Sequence, residues 1–236
     1  MQIGWIGTGV MGAAIAKNLM AAGHQLIVYN RTKNKTDELV AAGAVWADTP
    51  AKVAERSDVV FTMVGFPADV EQVYFGENGV FAGLKRGKTV VDMTTSQPKL
   101  AVRIAKYATN HGFHALDAPV SGGDVGAKNA TLTVMVGGDG ATYQDVLPLL
   151  NVLGHQVNHF GGPGTGQHAK MANQIMIAGT MTGLTEMLLY ARAAGLDAQK
   201  VLTTLSSGGA DNWTMANYVT QIFKDDYTPG FFHRHF

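Results

Sequence analysis

Six residues near the start of the chain, Gly7-Thr8-Gly9-Val10-Met11-Gly12, constrain its fold more than any other stretch. They read G-x-G-x-x-G, and their flanks supply a context. Ile3, Trp5 and Ile6 form a short apolar strand before them. Ala13 to Ala22 is helical in composition and stops at Gly23, and Gln25 to Tyr29 is a second strand. A βαβ unit of about 30 residues is the setting in which this pattern has a physical meaning. Gly7 permits the tight turn, Gly9 lets a pyrophosphate approach the backbone, and Gly12 lets the helix pack close to the strand. The helix N-terminus then offers unpaired N–H groups and a partial positive charge to phosphate. The pattern predicts a nucleotide-binding α/β (Rossmann) domain; a plain glycine-rich turn is the bland alternative.

The end of the second strand selects the nucleotide. A site for NAD wants Asp or Glu there, accepting from the ribose 2′-hydroxyl. This chain has Asn30-Arg31-Thr32-Lys33, and no carboxylate until Asp37. Arg31 can stack on adenine and pair with a 2′-phosphate, whose charge Asn30 does not repel. NADP(H) is therefore expected over NAD(H). Set against this, Arg31, Lys33 and Lys35 also suit the solvated start of a helix.

The alternation of strand and helix continues to about residue 160. Helices are expected over 36–42, 50–56, 68–74, 99–111 and 143–153, and strands over 58–64, 89–93, 113–117, 132–136 and 156–160. The strand ending at Val64 runs into Gly65-Phe66-Pro67. A loop at the carboxyl end of a parallel strand faces the ligand crevice of such folds. The strand ending at Met93 leads to Thr94-Thr95-Ser96, whose hydroxyls can cap the next helix, face the cofactor, or do both.

From Pro163 to Gly195 the chain changes character. Lys170, Glu186 and Arg192 are its charged residues, and Ala, Met, Leu and Ile dominate, so a helix about 40 Å long is expected. It is apolar on most sides, which predicts burial between two bodies of protein. Asn173, Gln174, Thr180, Thr182 and Thr185 and the lack of a flanking Lys/Arg cluster argue against a membrane span. Domains are thus expected over 1–163 and, all-helical, over 164–236.

Two stretches carry chemistry. Asp117-Ala118-Pro119-Val120-Ser121-Gly122-Gly123 ends a strand. Ser121, Gly122 and Gly123 offer a hydroxyl and adjacent unshielded backbone N–H groups, a cradle for a carboxylate, or else a plain turn. The second stretch is Gly164-Thr165-Gly166-Gln167-His168-Ala169-Lys170-Met171-Ala172-Asn173. Lys170 and Asn173 are three apart and share a helix face. A lysine in the first turns of an apolar helix, near its positive end, has its charge disfavoured and becomes a usable proton donor and acceptor. The competing reading is a lysine that snorkels to solvent. His168 is expected to pack or sit at the surface, and no histidine pair has metal-ligand spacing, so no metal is expected.

Composition removes other classes. Lys plus Arg equals Asp plus Glu, at 18 each, with no block of like charge, so neither nucleic acid nor an anionic membrane is expected as partner. The chain has no cysteine, which excludes disulfides and thiol catalysis and fits a reducing compartment. No basic-then-apolar leader opens it, and a cytoplasmic location is expected.

Taken together, Ile6 to Gly12, Asp117 to Gly123 and Gly164-x-Gly166-x-x-x-Lys170-x-x-Asn173, in that order, resemble the β-hydroxyacid dehydrogenases. These include 3-hydroxyisobutyrate dehydrogenase, tartronate semialdehyde reductase and the glyoxylate/succinic semialdehyde reductases. The resemblance covers the whole chain and implies a Rossmann domain followed by a long helix into an all-helical domain. It implies Lys170 as catalytic acid/base with Asn173 orienting the substrate. Ser121, Gly122 and Gly123 would bind the carboxylate, Thr95 would lie beside the nicotinamide, and Trp213 would wall the pocket. A small carboxylate substrate is expected with it. A homo-oligomer, dimer or tetramer, is expected because the helices after residue 195 carry more apolar surface than a small lone domain needs. Family members run further than the Phe-rich stretch that ends at Phe236, so the helical domain is expected to be truncated. Imine reductases, decarboxylating phosphogluconate-type dehydrogenases and nucleotide-sensing scaffolds on the same fold are the alternatives. The scaffolds lack the lysine, and the imine reductases usually carry another residue there.

Overall fold

The computed structural model describes residues 1–226. Of these, residues 1–170 form one compact unit and residues 171–226 a second.

The first unit opens with β1 (Gln2–Ile6), α1 (Val10–Ala21) and β2 (Gln25–Tyr29). A 3-10 turn, Lys33–Thr36, leads into α2 (Asp37–Ala41), β3 (Val45–Trp46), α3 (Pro50–Glu55) and β4 (Val59–Thr62). Next come α4 (Pro67–Phe75), α5 (Val80–Gly83), β5 (Thr89–Asp92), α6 (Pro98–His111) and β6 (His114–Asp117). The unit continues through β7 (Val120–Ser121), α7 (Gly123–Lys128), β8 (Thr133–Gly138), α8 (Gly140–Leu150) and β9 (Gln156–His159).

The strands lie in the order β3-β2-β1-β4-β5-β6-β8-β7, with β9 on β8. From β3 to β6 every pairing is parallel. Strand order reverses between β1 and β4, which opens a crevice above their carboxyl ends. The register aligns these ends: Ile6 faces Thr62, Thr62 faces Asp92, and Asp92 faces Asp117. β8 then runs antiparallel to β6. Helices cover both faces, so the inner strands are apolar on both sides. Alternate residues feed two cores. Trp5, Phe61, Met93 and Val134 join α1 and α8 on one face, while Ile6, Val60, Val90 and Tyr74 join α3, α4 and α6 on the other. The structure adds four short elements that the sequence reading left as loop: β3, α5, β7 and α7.

The helix α9 (Thr165–Ala193) starts in the first unit and carries the chain into the second, which also holds α10 (Ala198–Leu205) and α11 (Trp213–Phe223). Leu184 and Leu188 of α9 pack with Met215 and Val219 of α11, and the Thr180 and Thr214 hydroxyls meet at 3.1 Å. The expected burial of the long helix on most sides is corrected here. Ile175, Met176, Leu189 and Tyr190 are exposed, at 75%, 68%, 60% and 73%, because its inward stripe alone meets partner side chains. Among the described residues no helix is long and apolar enough to cross a membrane. The Phe-rich run to Phe236 lies outside the described residues.

Candidate active site

The glycine loop is built from both sides. Gly7 has φ +99°, and a side chain on it would lie 2.1 Å from the Met63 carbonyl oxygen. A side chain on Gly12 would lie 2.0 Å from the Gly7 carbonyl oxygen. Each must be glycine, one for conformation and the other for contact. Gly9 has open space over it, caps α1, and gives that helix start no side-chain acceptor. The helical bonds begin with the Ala13 N–H to the Gly9 carbonyl at 2.9 Å, so the N–H groups of Val10, Met11 and Gly12 are left for an outside acceptor. The Thr8 hydroxyl is buried and unpartnered. An open crest, orphan donors and an idle buried hydroxyl fit the pyrophosphate of a dinucleotide.

Two anchors for this loop lie outside the fingerprint. The buried Trp5 Nε1–H donates to the Gly7 carbonyl at 2.9 Å. Asn30 Oδ1 accepts from the Thr8 N–H at 3.0 Å while its Nδ2 donates to the Thr32 carbonyl at 2.9 Å. Asn30 therefore ties the end of β2 to the loop, beyond simply not repelling a phosphate. The Arg31 guanidinium projects to solvent and donates to Asp69 Oδ1 at 2.8 Å.

The carboxyl ends of β4, β5 and β6 are stitched to one another. The Val64 N–H donates to Thr94 Oγ1 at 3.1 Å. Asp92, fully buried, accepts from Thr62 Oγ1 at 2.9 Å and from the Thr94 N–H at 3.1 Å. Burial raises its pKa to about 6, against the pull of these donors. No hydroxyl of Thr94, Thr95 or Ser96 caps α6, whose N-cap is Gln97 without a side-chain bond. Gly65 and Thr95 sit half-buried at this rim.

The start of α9 is clamped onto this crest. Asp117 Oδ1 accepts from the Gly164 N–H and Oδ2 from the Gln167 N–H, both at 2.8 Å. Its pKa is raised because burial outweighs these bonds. The Gln167 side chain receives the Ser96 N–H at 2.9 Å and donates to the Thr94 carbonyl at 2.7 Å. Gly166 packs so closely that a side chain on it would lie 2.4 Å from the Met135 carbonyl oxygen. The sequence reading quoted Asp117 and Gln167 without a role. Gln167 carried a usable signal, an amide three residues before Lys170 and so on the same helix face.

Lys170 follows one turn after Gln167 and is 5% exposed. No carboxylate lies within ion-pair distance of it among the described residues. Burial lowers its pKa from 10.5 to about 8. Of the two readings of this lysine, the buried side chain is the one found. His168 beside it is exposed.

Gly122 and Gly123 have φ +131° and +63° and join β7 to α7, with Ser121 half-buried before them. A side chain on Gly123 would meet nothing within 4 Å, so backbone there stands open. In the second unit, Asn173 Nδ2 donates to Gln174 Oε1 at 2.9 Å. Trp213, at the start of α11, is largely exposed and meets Tyr218 edge-on at 5.6 Å.

The chain is similar to known proteins along nearly its whole length. Residues 2–162 match the NAD binding domain of 6-phosphogluconate dehydrogenase, and residues 164–236 match the NAD-binding domain of NADP-dependent 3-hydroxyisobutyrate dehydrogenase. A probable mitochondrial 3-hydroxyisobutyrate dehydrogenase-like protein of Arabidopsis thaliana is 49% identical, over 100% of this chain and 70% of its own length. The 2-hydroxy-3-oxopropionate reductase of Escherichia coli is 42% identical, over 98% of this chain and 79% of its own. The 3-hydroxyisobutyrate dehydrogenase of Mycobacterium tuberculosis, solved with L-serine, superposes with a TM-score of 0.89 at 30% identity, covering 98% of this chain and 80% of that one. Matched along nearly its whole length, the chain belongs to the β-hydroxyacid dehydrogenase family of NAD(P)-dependent oxidoreductases, dehydrogenases that act on CH–OH groups.

Proposed function

We propose that the chain transfers a hydride between NADP(H) and a small β-hydroxyacid or its semialdehyde, with Lys170 as general acid and base. The observation that carries this is Lys170 itself: buried, without a carboxylate partner among the described residues, and on a helix start clamped to the ends of β5 and β6. A 3-hydroxyisobutyrate dehydrogenase-like activity is the leading reading. The similarity to the Escherichia coli reductase supports a second, reduction of tartronate semialdehyde.

In this scheme residues 1–163 hold the cofactor and residues 164–236 contribute to substrate binding and to self-association. Gly7 to Gly12 cradle the pyrophosphate, Arg31 and Thr32 meet the adenosine side, and Val64, Gly65 and Thr95 line the nicotinamide side. The family match to an NADP-dependent enzyme supports NADP, as does the absence of a carboxylate at Asn30. When bound, a nicotinamide cofactor would supply the hydride chemistry, at the carbonyl carbon in reduction and at the carbinol carbon in oxidation. Ser121, Gly122 and Gly123 hold the substrate carboxylate through backbone N–H groups and one hydroxyl. Lys170 Nζ, as ammonium, gives a proton to the carbonyl oxygen during reduction; as the neutral amine it takes the hydroxyl proton during oxidation. Asn173, one turn along α9, orients the same oxygen, and Trp213 closes the pocket. The L-serine in the mycobacterial structure, itself a β-hydroxyacid, supports a pocket for this substrate class.

Absorbance at 340 nm with NADPH or NADH against methylmalonate, tartronate and succinic semialdehydes and glyoxylate tests the scheme. Turnover with NADPH is expected. The Lys170→Ala variant should lose about 10²- to 10⁴-fold in turnover with cofactor affinity retained. Equal loss of cofactor affinity would mean a structural lysine.

A further inference from the structure

The side chain that separates NADP from NAD in the proposed scheme already has an anionic partner. The Arg31 guanidinium, its side chain 83% exposed, donates from Nη1 to Asp69 Oδ1 at 2.8 Å, and the Asp69 side chain is 23% exposed. Asp69 does not owe its position to Arg31. It is the third residue of α4, and its Oδ2 accepts from the Phe66 N–H at 3.1 Å, where that helix begins. The helix start thus fixes a carboxylate beside the guanidinium. The neighbouring Lys33 is engaged elsewhere, with Nζ 4.1 Å over the Trp46 ring.

A 2′-phosphate seeks the same planar N–H fork that a carboxylate does. Two anions on one guanidinium repel each other, whereas a ribose 2′-hydroxyl meets no such penalty. We propose that Asp69 is a specificity-determining residue, which competes with the 2′-phosphate of the cofactor for Arg31 and narrows the margin between NADP and NAD. This rests on the reading of Arg31 as the 2′-phosphate ligand. The pair is solvent-exposed, so the effect is that of a surface ion pair, about two- to five-fold in affinity.

Calorimetric titration with 2′,5′-ADP and with 5′-AMP, which differ only by the 2′-phosphate, isolates that phosphate without turnover. Wild type, Asp69→Asn, Arg31→Ala and the double variant are compared. Asn keeps an acceptor for the Phe66 N–H, and Asp69→Ser serves as a second variant should Asn disturb folding, as judged by thermal unfolding. Loss of the charge should tighten 2′,5′-ADP about two- to five-fold, leave 5′-AMP unchanged, and give no such tightening in the Arg31→Ala background. Unchanged or weaker 2′,5′-ADP binding in the single variant overturns the proposal. The Arg31 reading has its own signature. If Arg31→Ala leaves the preference of the wild type for 2′,5′-ADP over 5′-AMP intact, that reading fails whatever Asp69 does.

Discussion

A buried lysine without a counter-charge costs the fold stability in the pH range where it stays protonated. Lys170 holds its proton to 10.5 when unfolded but to about 8 when folded. The folded state is therefore penalised fully below pH 8, and the penalty is relieved as pH rises toward 10.5. A gap of that size corresponds to about 3 kcal/mol. Lys170→Met should then unfold later in urea than wild type at pH 7, by about 1–3 kcal/mol, with the gain gone above pH 10.5. In the proposed scheme the same titration sets the rate. Carbonyl reduction needs the ammonium and should fall above about pH 8, while alcohol oxidation needs the amine and should rise through it. A pH-independent rate would remove Lys170 from the proton transfer. Asp92 obeys the opposite sign. Its pKa, raised by burial to about 6, makes the carboxylate cost nothing below 3.8 and its full amount above 6. Asp92→Asn keeps an acceptor for Thr62 and Thr94 and should stabilise the fold at pH 7 by about 1–3 kcal/mol, but not at pH 3.5; equal denaturation midpoints at pH 7 would refute this.

At the scale of elements, α9 is placed by its first turn. Asp117 and Gln167 hold that turn, and Gly166 admits it against the backbone of Asp117, Met135 and Gly137. A methyl group at Gly166 has no side chain to displace, so the helix itself must move, at about 1–3 kcal/mol. Gly166→Ala should lower kcat by misplacing Lys170 while 2′,5′-ADP binding, held by the loop before α1, stays near wild type. Unchanged kcat would show that the clamp tolerates the shift. How far the sequence revealed this varies with how local each signal is. The βαβ unit, the apolar strands and α9 follow from periodicity and composition within a single window. β3 and β7, two residues each, exist through pairing with β2 and β8 and have no window of their own. Of the site, the glycines and Lys170 were legible as types in a pattern. Asp117 as a clamp and Asp69 beside Arg31 join residues 47 and 38 positions apart, and spacing along one element says nothing of such pairs.

At the scale of the molecule, what distinguishes the second unit is the apolar surface left exposed among its described residues. Ile175 and Met176 recur as Leu189 and Tyr190 after fourteen positions, close to four helical turns, so the pairs fall on one side of α9, about 21 Å apart. Gly179 and Gly183 lie between them, and a side chain on either would meet nothing within 4 Å. Large apolar ends around a small-residue waist suit close approach of another helix, because backbone can come near where side chains are absent. Lys and Arg balance Asp and Glu at 18 each, so no net charge opposes association. A single exposed leucine means little, but a contiguous stripe marks an interaction surface. The chain is therefore expected to run as a dimer or larger species in light scattering coupled to size exclusion. Ile175→Glu with Tyr190→Glu should shift it to a smaller species without altering 2′,5′-ADP binding, which belongs to the first unit. Wild type running as a monomer at tens of micromolar would assign that stripe to something other than a second copy of this chain.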